Sequence, residues 1–248
     1  MIKLIELETC ASTNDEAWTH ANMQVNTPHL MAPHLVVAEK QTSGRGRQGR
    51  QWSSEHTGNF YGSLLCAAPS RHTSWVPLAA GVAALETLAT LVGEKKCTAL
   101  RLKWPNDLIC DIADTPAKIG GILCESKIIG GTTYAVVIGL GLNLKTAPQI
   151  DGMNTAALEE HLHIEISKKD FGIYWAERCL DYIKQLTENE TQSLARQWLR
   201  WAKLEQYPKF ATHSGDGSLR TVRATGLDNA GRLLVESNGV VEAIDQAN

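Results

Sequence analysis

Gly44-Arg45-Gly46-Arg47-Gln48-Gly49-Arg50 carries glycines at its first, third and sixth positions, the G-x-G-x-x-G spacing of a dinucleotide-binding turn. If the segment opened a helix, the chain would read as a doubly wound α/β fold, with an acidic residue ~20 positions later to hold a ribose. The residues that follow decide against that fold. Gly49 leads into Arg50-Gln51-Trp52-Ser53-Ser54 and His56-Thr57-Gly58-Asn59, which is turn chemistry rather than a helix start. Short buried strands are expected on either side, over Leu35 to Ala38 and Phe60 to Ala67, so the segment is a loop between strands. Three arginines among three glycines suit an anion clamp: glycine admits close backbone approach, and each guanidinium can grip two oxygens. A solvated basic loop, or a nucleic-acid contact, fits the same residues.

Working outward, Pro77 to Val92 repeats apolar residues at helical spacing with proline in the first turn, which predicts a helix packed on a sheet. Leu100 to Leu102 reads as a strand. Ile119 to Ile128 and Tyr134 to Leu144, joined by Ile129-Gly130-Gly131-Thr132-Thr133, read as a hairpin. Lys168 to Leu204 predicts two helices with a break near Thr187-Glu188-Asn189-Glu190. Beyond Tyr207-Pro208 the texture changes to short runs, Thr221 to Gly226, Arg232 to Glu236 and Val240 to Ile244, separated by turns. The expected organisation is therefore an α+β domain over residues 1–205 and a small β module over residues 206–248.

At 248 residues, with 43% hydrophobic and 21% charged residues, the chain is long and apolar enough to build a core, which excludes wholesale disorder. A net charge of -3 argues against a protein held to nucleic acid by global attraction, so any anion site must be concentrated. The six cysteines are scattered without a C-x-x-C pair, and reduced thiols are expected. Acidic residues interrupt the N-terminus where a signal peptide needs an apolar stretch, and no run is expected to reach the ~20 apolar residues of a membrane span. A cytoplasmic protein without a membrane partner is expected.

The remaining chemistry-bearing stretches are individually modest. Trp52 offers a flat face for a purine, or a core side chain. Lys103-Trp104-Pro105-Asn106-Asp107 places an amide and a carboxylate at a strand end, as a base-edge and proton-handling pair or as a turn. Lys118, beside Gly120 and Gly121, points to solvent or brings its charge to an anion. Gly139-Leu140-Gly141-Leu142-Asn143 can let a flat ring lie against the backbone. No set of residues has metal-ligand spacing, no Ser-centred elbow or P-loop occurs, and no protein-bound metal is expected.

In order along the chain, Ser12-Thr13-Asn14, Gln41-Thr42-Ser43-Gly44-Arg45-Gly46-Arg47-Gln48-Gly49-Arg50-Gln51-Trp52, Lys103 to Asp107, Lys118 to Glu125 and Gly139 to Asn143 resemble the signature stretches of the biotin protein ligase family. The resemblance covers nearly the whole chain. It implies a class II synthetase-like, biotin/lipoate ligase catalytic domain, a central mixed sheet flanked by helices, with a C-terminal SH3-like β barrel. It also implies an enzyme that forms biotinyl-AMP from biotin and ATP with Mg2+, then passes biotin to a lysine of a biotin carboxyl carrier protein. By the same resemblance, Ser12, Thr13, Asn14 and Gln41 hold the ureido head, with Gly46, Gly121, Gly139 and Gly141 shaping the pocket. Arg45 and Arg47 lie over carboxylate and phosphate in a loop that orders on ligand binding, Lys118 bridges the two anions, and Arg50, Trp52, Lys103, Asn106 and Asn143 serve ATP and the adenylate. Asp107 orients or deprotonates the attacking lysine.

Two departures stand out. Asp111 to Pro116 lengthens the spacing between Asp107 and Lys118, predicting a protruding hairpin, and Asp245-Gln246-Ala247-Asn248 lacks the short Gly-acidic-apolar closing strand usual in the family, predicting an incomplete barrel. Lipoate- or octanoate-handling relatives share the implied fold, but the chain has neither the R-R-x-x-G-G-G stretch nor the His-rich site associated with them, and its basic loop fits biotin better. A repressor form would need a helix-turn-helix ahead of Ser12, where 11 residues stand, so a single-function ligase without DNA as a partner is expected. A non-catalytic nucleic-acid module through the arginine loop is the alternative of another class. The sequence is compatible with a monomer or a homodimer.

Overall fold

The apolar segments on either side of the arginine loop lie side by side in a seven-stranded sheet. In the computed structural model, residues 1–22, 32–129, 132–213 and 219–244 are described. The strands are β1 (Lys3–Cys10), β2 (His34–Gln41), β3 (Phe60–Ala67), β4 (Leu100–Lys103), β5 (Asp107–Ile112), β6 (Thr115–Ile129) and β7 (Thr132–Leu142), in the order β1-β2-β3-β7-β6-β5-β4. Only β1 and β2 run parallel, and every other neighbour is antiparallel. The sheet is therefore mixed.

Strand alternation sends side chains to two faces, and each face has its own core. Leu35, Leu64, Val136, Ile138 and Leu140 join the main core with three helices, α2 (Val76–Val92), α4 (Lys168–Thr187) and α5 (Thr191–Ala202). Val36, Leu65, Ala135 and Val137 point the other way and pack under Ala17 and Ala21 of α1 (Thr13–Asn22). A short helix, α3 (Leu158–Leu162), precedes α4. In the main core Phe60 meets Phe171 and Trp175 edge to face, at 5.1 and 5.9 Å between ring centroids. Gly172 is what lets α4 close on that ring, because a Cβ there would stand 2.9 Å from Phe60. Each such fully buried large side chain contributes roughly 1.5 to 3 kcal/mol of burial, which is why these positions fix the helix–sheet distance.

The helix predicted over Pro77 to Val92 is apolar almost all round, as a helix enclosed on every side must be. Contrary to the expectation from the sequence, Thr73–Val92 is long and apolar enough to cross a membrane by length and composition, but 67% of it is buried within the protein. It is the core helix. The β6–β7 hairpin also forms as expected. Ile129 pairs with Thr132, so two residues connect the strands, and the Gly130-Gly131 turn lies outside the described residues.

Several elements were not anticipated: β1, α1, β5 and a C-terminal strand. The stretch Asp111 to Pro116 forms a hairpin whose tip, Ala113 to Pro116, is exposed. It lengthens β5 and β6, which close through a two-residue turn with Ala113 and Asp114 at positive φ (45° and 63°). Asp111 pairs with the buried Arg101 at 2.9 Å.

The C-terminal strands β8 (Lys209–His213), β9 (Leu219–Leu227), β10 (Leu233–Ser237) and β11 (Val240–Ile244) form an antiparallel meander. Among the described residues this is one open four-stranded sheet, and β8 and β11 are its two edges rather than the closing pair of a barrel. Its inner residues Val222, Ala224, Leu233 and Val235 belong to the main core. Ser74 Oγ, Trp75 Nε1 and Trp104 Nε1 donate to the carbonyls of Ala230, Asn229 and Gly231, tying one turn of this sheet to the start of α2 and the end of β4.

Candidate functional site

On the face of the sheet that α1 covers, the positions just beyond the start of that helix are glycines. Gly121 of β6 and Gly139 and Gly141 of β7 lie together, since Gly121 pairs with Gly141. A Cβ at Gly139 would sit 2.4 Å from Asn14 Oδ1, and one at Gly141 would sit 2.4 Å from the Trp52 indole. The bare floor opens a cavity of about 340 Å³. That volume suits a small organic ligand.

Lys118 reaches the cavity through an irregularity. Counting back from Ile122, which points into the main core, a regular strand would aim Lys118 the same way. Leu108 pairs with Gly120 and Ile109 with Lys118, so Ile119 is an extra residue in β6. This bulge turns Ile119 into the core, fully buried, and brings Lys118 round to the cavity.

One end of the cavity is built from neutral polar groups. Gln41 Oε1 accepts from Thr13 N at 2.8 Å and from Thr13 Oγ1 at 3.2 Å. Ser63 Oγ, on β3, donates to Asn14 Oδ1 at 2.6 Å and lies 2.7 Å from Thr13 Oγ1. Asn14 Nδ2 reaches the Leu123 carbonyl. Ser12, Thr13, Asn14, Gln41 and Ser63 are all at or below 9% exposure, so these groups are held by one another rather than by bulk water.

The other end is ionic. Lys118 Nζ lies 2.6 Å from Asp107 Oδ1. Arg47 donates to Asn106 Oδ1 at 3.1 Å, and Asn106 in turn donates to the Ile122 carbonyl at 2.8 Å. The Trp52 ring stands between the two ends, over Gly121 and Gly141, with Lys118 Nζ 5.6 Å from its centroid. Two buried polar atoms here have no partner: Trp52 Nε1 and Asn143 Oδ1. A bound molecule can supply a partner to each, and buried polar atoms left unpaired are costly.

The loop from Gly44 to Arg50 contributes Arg45, Gly46, Arg47, Gln48 and Arg50 to the lining. Arg45 and Gln51 form a bridge, Gly46 N donates to Arg50 O, and Trp52 N donates to Gly44 O. A short turn over Arg47–Gly49, with Gln48 and Gly49 at positive φ, takes the place of the helix a dinucleotide fingerprint requires. Arg45 forks onto Asp15 at 2.6 and 2.7 Å and also reaches Glu125 at 3.2 Å. The Arg45 hydrogen bond holds the Asp15 carboxyl below its usual range.

Every residue put forward from the sequence lines this one cavity: Ser12, Thr13, Asn14, Gln41, Arg45, Gly46, Arg47, Arg50, Trp52, Lys103, Asn106, Asp107, Lys118, Gly121, Gly139, Gly141 and Asn143. The structure adds Pro148, Ile150, Met153 and Thr155, which the sequence reading missed. This segment is stitched beside Lys118, whose N donates to Asn154 O and whose carbonyl accepts from Ala156 N. Its sequence has no periodicity, so nothing marked it. Ser63 was also missed, although a polar residue inside the apolar run Phe60 to Ala67 is a readable signal.

Residues 8–143 match the Biotin/lipoate A/B protein ligase family. The chain belongs to that family. Within it, the chain is 30% identical over 242 residues to the biotin--[acetyl-CoA-carboxylase] ligase of Paracoccus denitrificans, covering 95% of this chain and 88% of that protein. It is 29% identical to the bifunctional ligase/repressor BirA of Escherichia coli K12, covering 86% of this chain and 64% of that protein. The fold of the family is also evident in solved structures. The biotin protein ligase of Aquifex aeolicus in complex with biotin and ATP superposes with a TM-score of 0.73 at 21% identity, covering 98% of this chain and 95% of that one. The Leishmania major biotin protein ligase in complex with biotinyl-5-AMP gives 0.68 at 24% identity, covering 98% and 99%.

Proposed function

We propose that this member of the family is an ATP-dependent biotin protein ligase, which makes biotinyl-5′-AMP and pyrophosphate from biotin and ATP and then transfers biotin to a lysine of a biotin carboxyl carrier protein. The observation that carries the reading is the division of one cavity into a neutral hydrogen-bonding end and an ionic end across a glycine floor. Biotin has that division: an uncharged ureido ring at one end and a carboxylate at the other. The names of the similar proteins, and the biotin, ATP and biotinyl-5-AMP bound in solved structures of the fold, support the same reading.

The first step joins two anions: a carboxylate oxygen attacks the α-phosphorus of ATP and pyrophosphate leaves. Lys118 and Arg47 are the cations placed to neutralise the meeting oxygens and the charge that develops between them. Mg2+ belongs to the ATP substrate in this reading. Thr13, Asn14 and Gln41 hold the ureido head, which places the carboxylate beside Lys118, and positioning contributes much of the rate. Trp52 Nε1 and Asn143 Oδ1 find their missing partners on the bound adenylate.

In the second step the carrier amine attacks the acyl carbon and AMP leaves. Asp107 accepts the proton released from the amine, freed for that task once Lys118 has moved onto the adenylate. A lipoyl head has no amide groups to match the donor and acceptor pattern of Thr13, Asn14 and Gln41, so it forgoes the hydrogen bonds that a ureido ring makes there. A cytoplasmic location accords with the need for ATP and with six free thiols.

Intact mass of an apo biotin carboxyl carrier domain after incubation with the protein, biotin and Mg-ATP tests the assignment. The expected result is one added biotinyl group on one lysine, dependent on ATP. A carrier that stays unmodified alongside a working ligase control removes the assignment.

A further inference from the structure

We infer that Arg45 is a positioning residue that latches the Gly44–Arg50 loop to the body of the protein, with Asp15 and Glu125 as its anchors, and that it is not a ligand for the substrate anions. The inference rests on reading the cavity as the site of biotinyl-AMP. It separates the two leading arginines of the loop, which spacing alone treats as equivalent.

Arg45 is already engaged through both terminal nitrogens of its guanidinium. Both terminal nitrogens meet the two oxygens of Asp15, and the second also meets Glu125 Oε1. The anchors are themselves placed. Asp15 lies in the first turn of α1, directly after Asn14, and the other oxygen of Glu125 accepts from Trp18 Nε1 at 2.8 Å. Lys127 stands 4.8 Å from the centroid of the same Trp18 ring. Two carboxylates neutralise the one guanidinium they share. An incoming phosphate or carboxylate must displace both acids to bind Arg45.

The backbone explains why Arg47 behaves differently. Arg45 lies in an extended bridge with Gln51, whereas Arg47 opens the short turn Arg47–Gly49, so the two side chains leave backbone of different geometry. Arg45 goes outward to α1 and β6, while Arg47 goes inward to Asn106 beside the Lys118–Asp107 pair. The loop is thus a strap fastened at Arg45 and presenting Arg47. Fastening it to Asp15 and Glu125 also ties it to the neutral end, because Asn14 precedes Asp15 and reaches the carbonyl of Leu123, two residues before Glu125. A lone exposed ion pair contributes little, but a bidentate fork shared by a second carboxylate is a geometry that holds.

The test is the dissociation rate of biotinyl-AMP from the full-length protein, measured for wild type, Arg45→Ala, the acidic double variant Asp15→Asn/Glu125→Gln, and the combination of all three. A latch predicts about fivefold to tenfold faster release in Arg45→Ala and in the acidic double variant, with no further gain when they are combined, since all remove one interaction. Asp15→Glu, which keeps the carboxylate, retains slow release. Hydrogen exchange gives a readout free of ligand: the amides of Gly46 and Trp52 exchange faster in the acidic double variant while the β3 and β7 amides do not change. Release at the wild-type rate, or slower, from the acidic double variant, together with fast release from Arg45→Ala, overturns the latch and makes Arg45 a direct ligand. A wild-type protein that holds no biotinyl-AMP at all overturns the reading of the site, and the latch with it.

Discussion

The two ends of the cavity are built on opposite principles. At the Thr13 end, uncharged groups are already bonded to one another and nearly inaccessible: Gln41 to Thr13, and Ser63 to Asn14. At the Lys118 end, two opposite charges hold each other at 2.6 Å and a guanidinium rests on an amide. The first end offers a fixed pattern of donors and acceptors, suited to recognising a neutral ring with little rearrangement. In the proposed mechanism the second is a store of charge that changes partners: Lys118 leaves Asp107 when an anion arrives, and Asp107 then becomes available as a base. In that mechanism recognition belongs to one end and chemistry to the other.

Substitutions at the two ends should therefore fail differently. Lys118→Ala has the largest expected effect, a loss of about 100- to 1,000-fold in the single-turnover rate of adenylate formation, the range for removing one preorganised charge-stabilising donor. A rate near wild type would break the division at its ionic end. Asp107→Asn separates the two steps: transfer to the carrier should fall by about 100-fold while adenylate still forms, as expected for loss of a proton acceptor. Equal damage to both steps in rapid-quench measurements would deny Asp107 that separate task.

Gln41→Ala acts on recognition. It strips Thr13 of its buried partner and should raise the KM for biotin about tenfold with kcat little changed, since an interaction made equally in ground and transition states alters binding alone. A fall in kcat at saturating biotin would blur the comparison. The smallest effect concerns acid. Asp15, held below the usual carboxylate range by Arg45, contributes stability that is present above its unfolded value and is lost as pH falls through its lowered folded value. Thermal unfolding followed downward from neutral pH should show a slightly smaller loss in Asp15→Asn than in wild type, and an identical pH profile would remove that contribution.

The sequence disclosed those parts of the molecule whose patterns repeat. Pro77 to Val92 reads as a buried helix because apolar residues recur on nearly every side, and the β6–β7 hairpin because two apolar runs flank paired glycines. The edge strand β1 was hidden by the acids that alternate with its apolar residues, and α1 by its short, polar sequence. The cavity residues were legible because they sit in compact motifs. What could not be read was direction: the bulge at Ile119 that turns Lys118 toward the cavity depends on pairing with β5, and Arg45 and Arg47 part company because one sits in a bridge with Gln51 and the other opens a turn. Asp15 and Glu125 lie 30 and 80 residues from Arg45 in the chain, so only the folded sheet and helix bring them to it.

The most direct test of the two-ended site is exchange of labelled pyrophosphate into ATP, catalysed by the protein with and without biotin, in wild type, Lys118→Ala and Gln41→Ala. The account predicts exchange that requires biotin, nearly vanishes in Lys118→Ala at any biotin concentration, and returns in Gln41→Ala when biotin is raised. Exchange independent of biotin, or a Gln41→Ala defect that excess biotin does not restore, would contradict it.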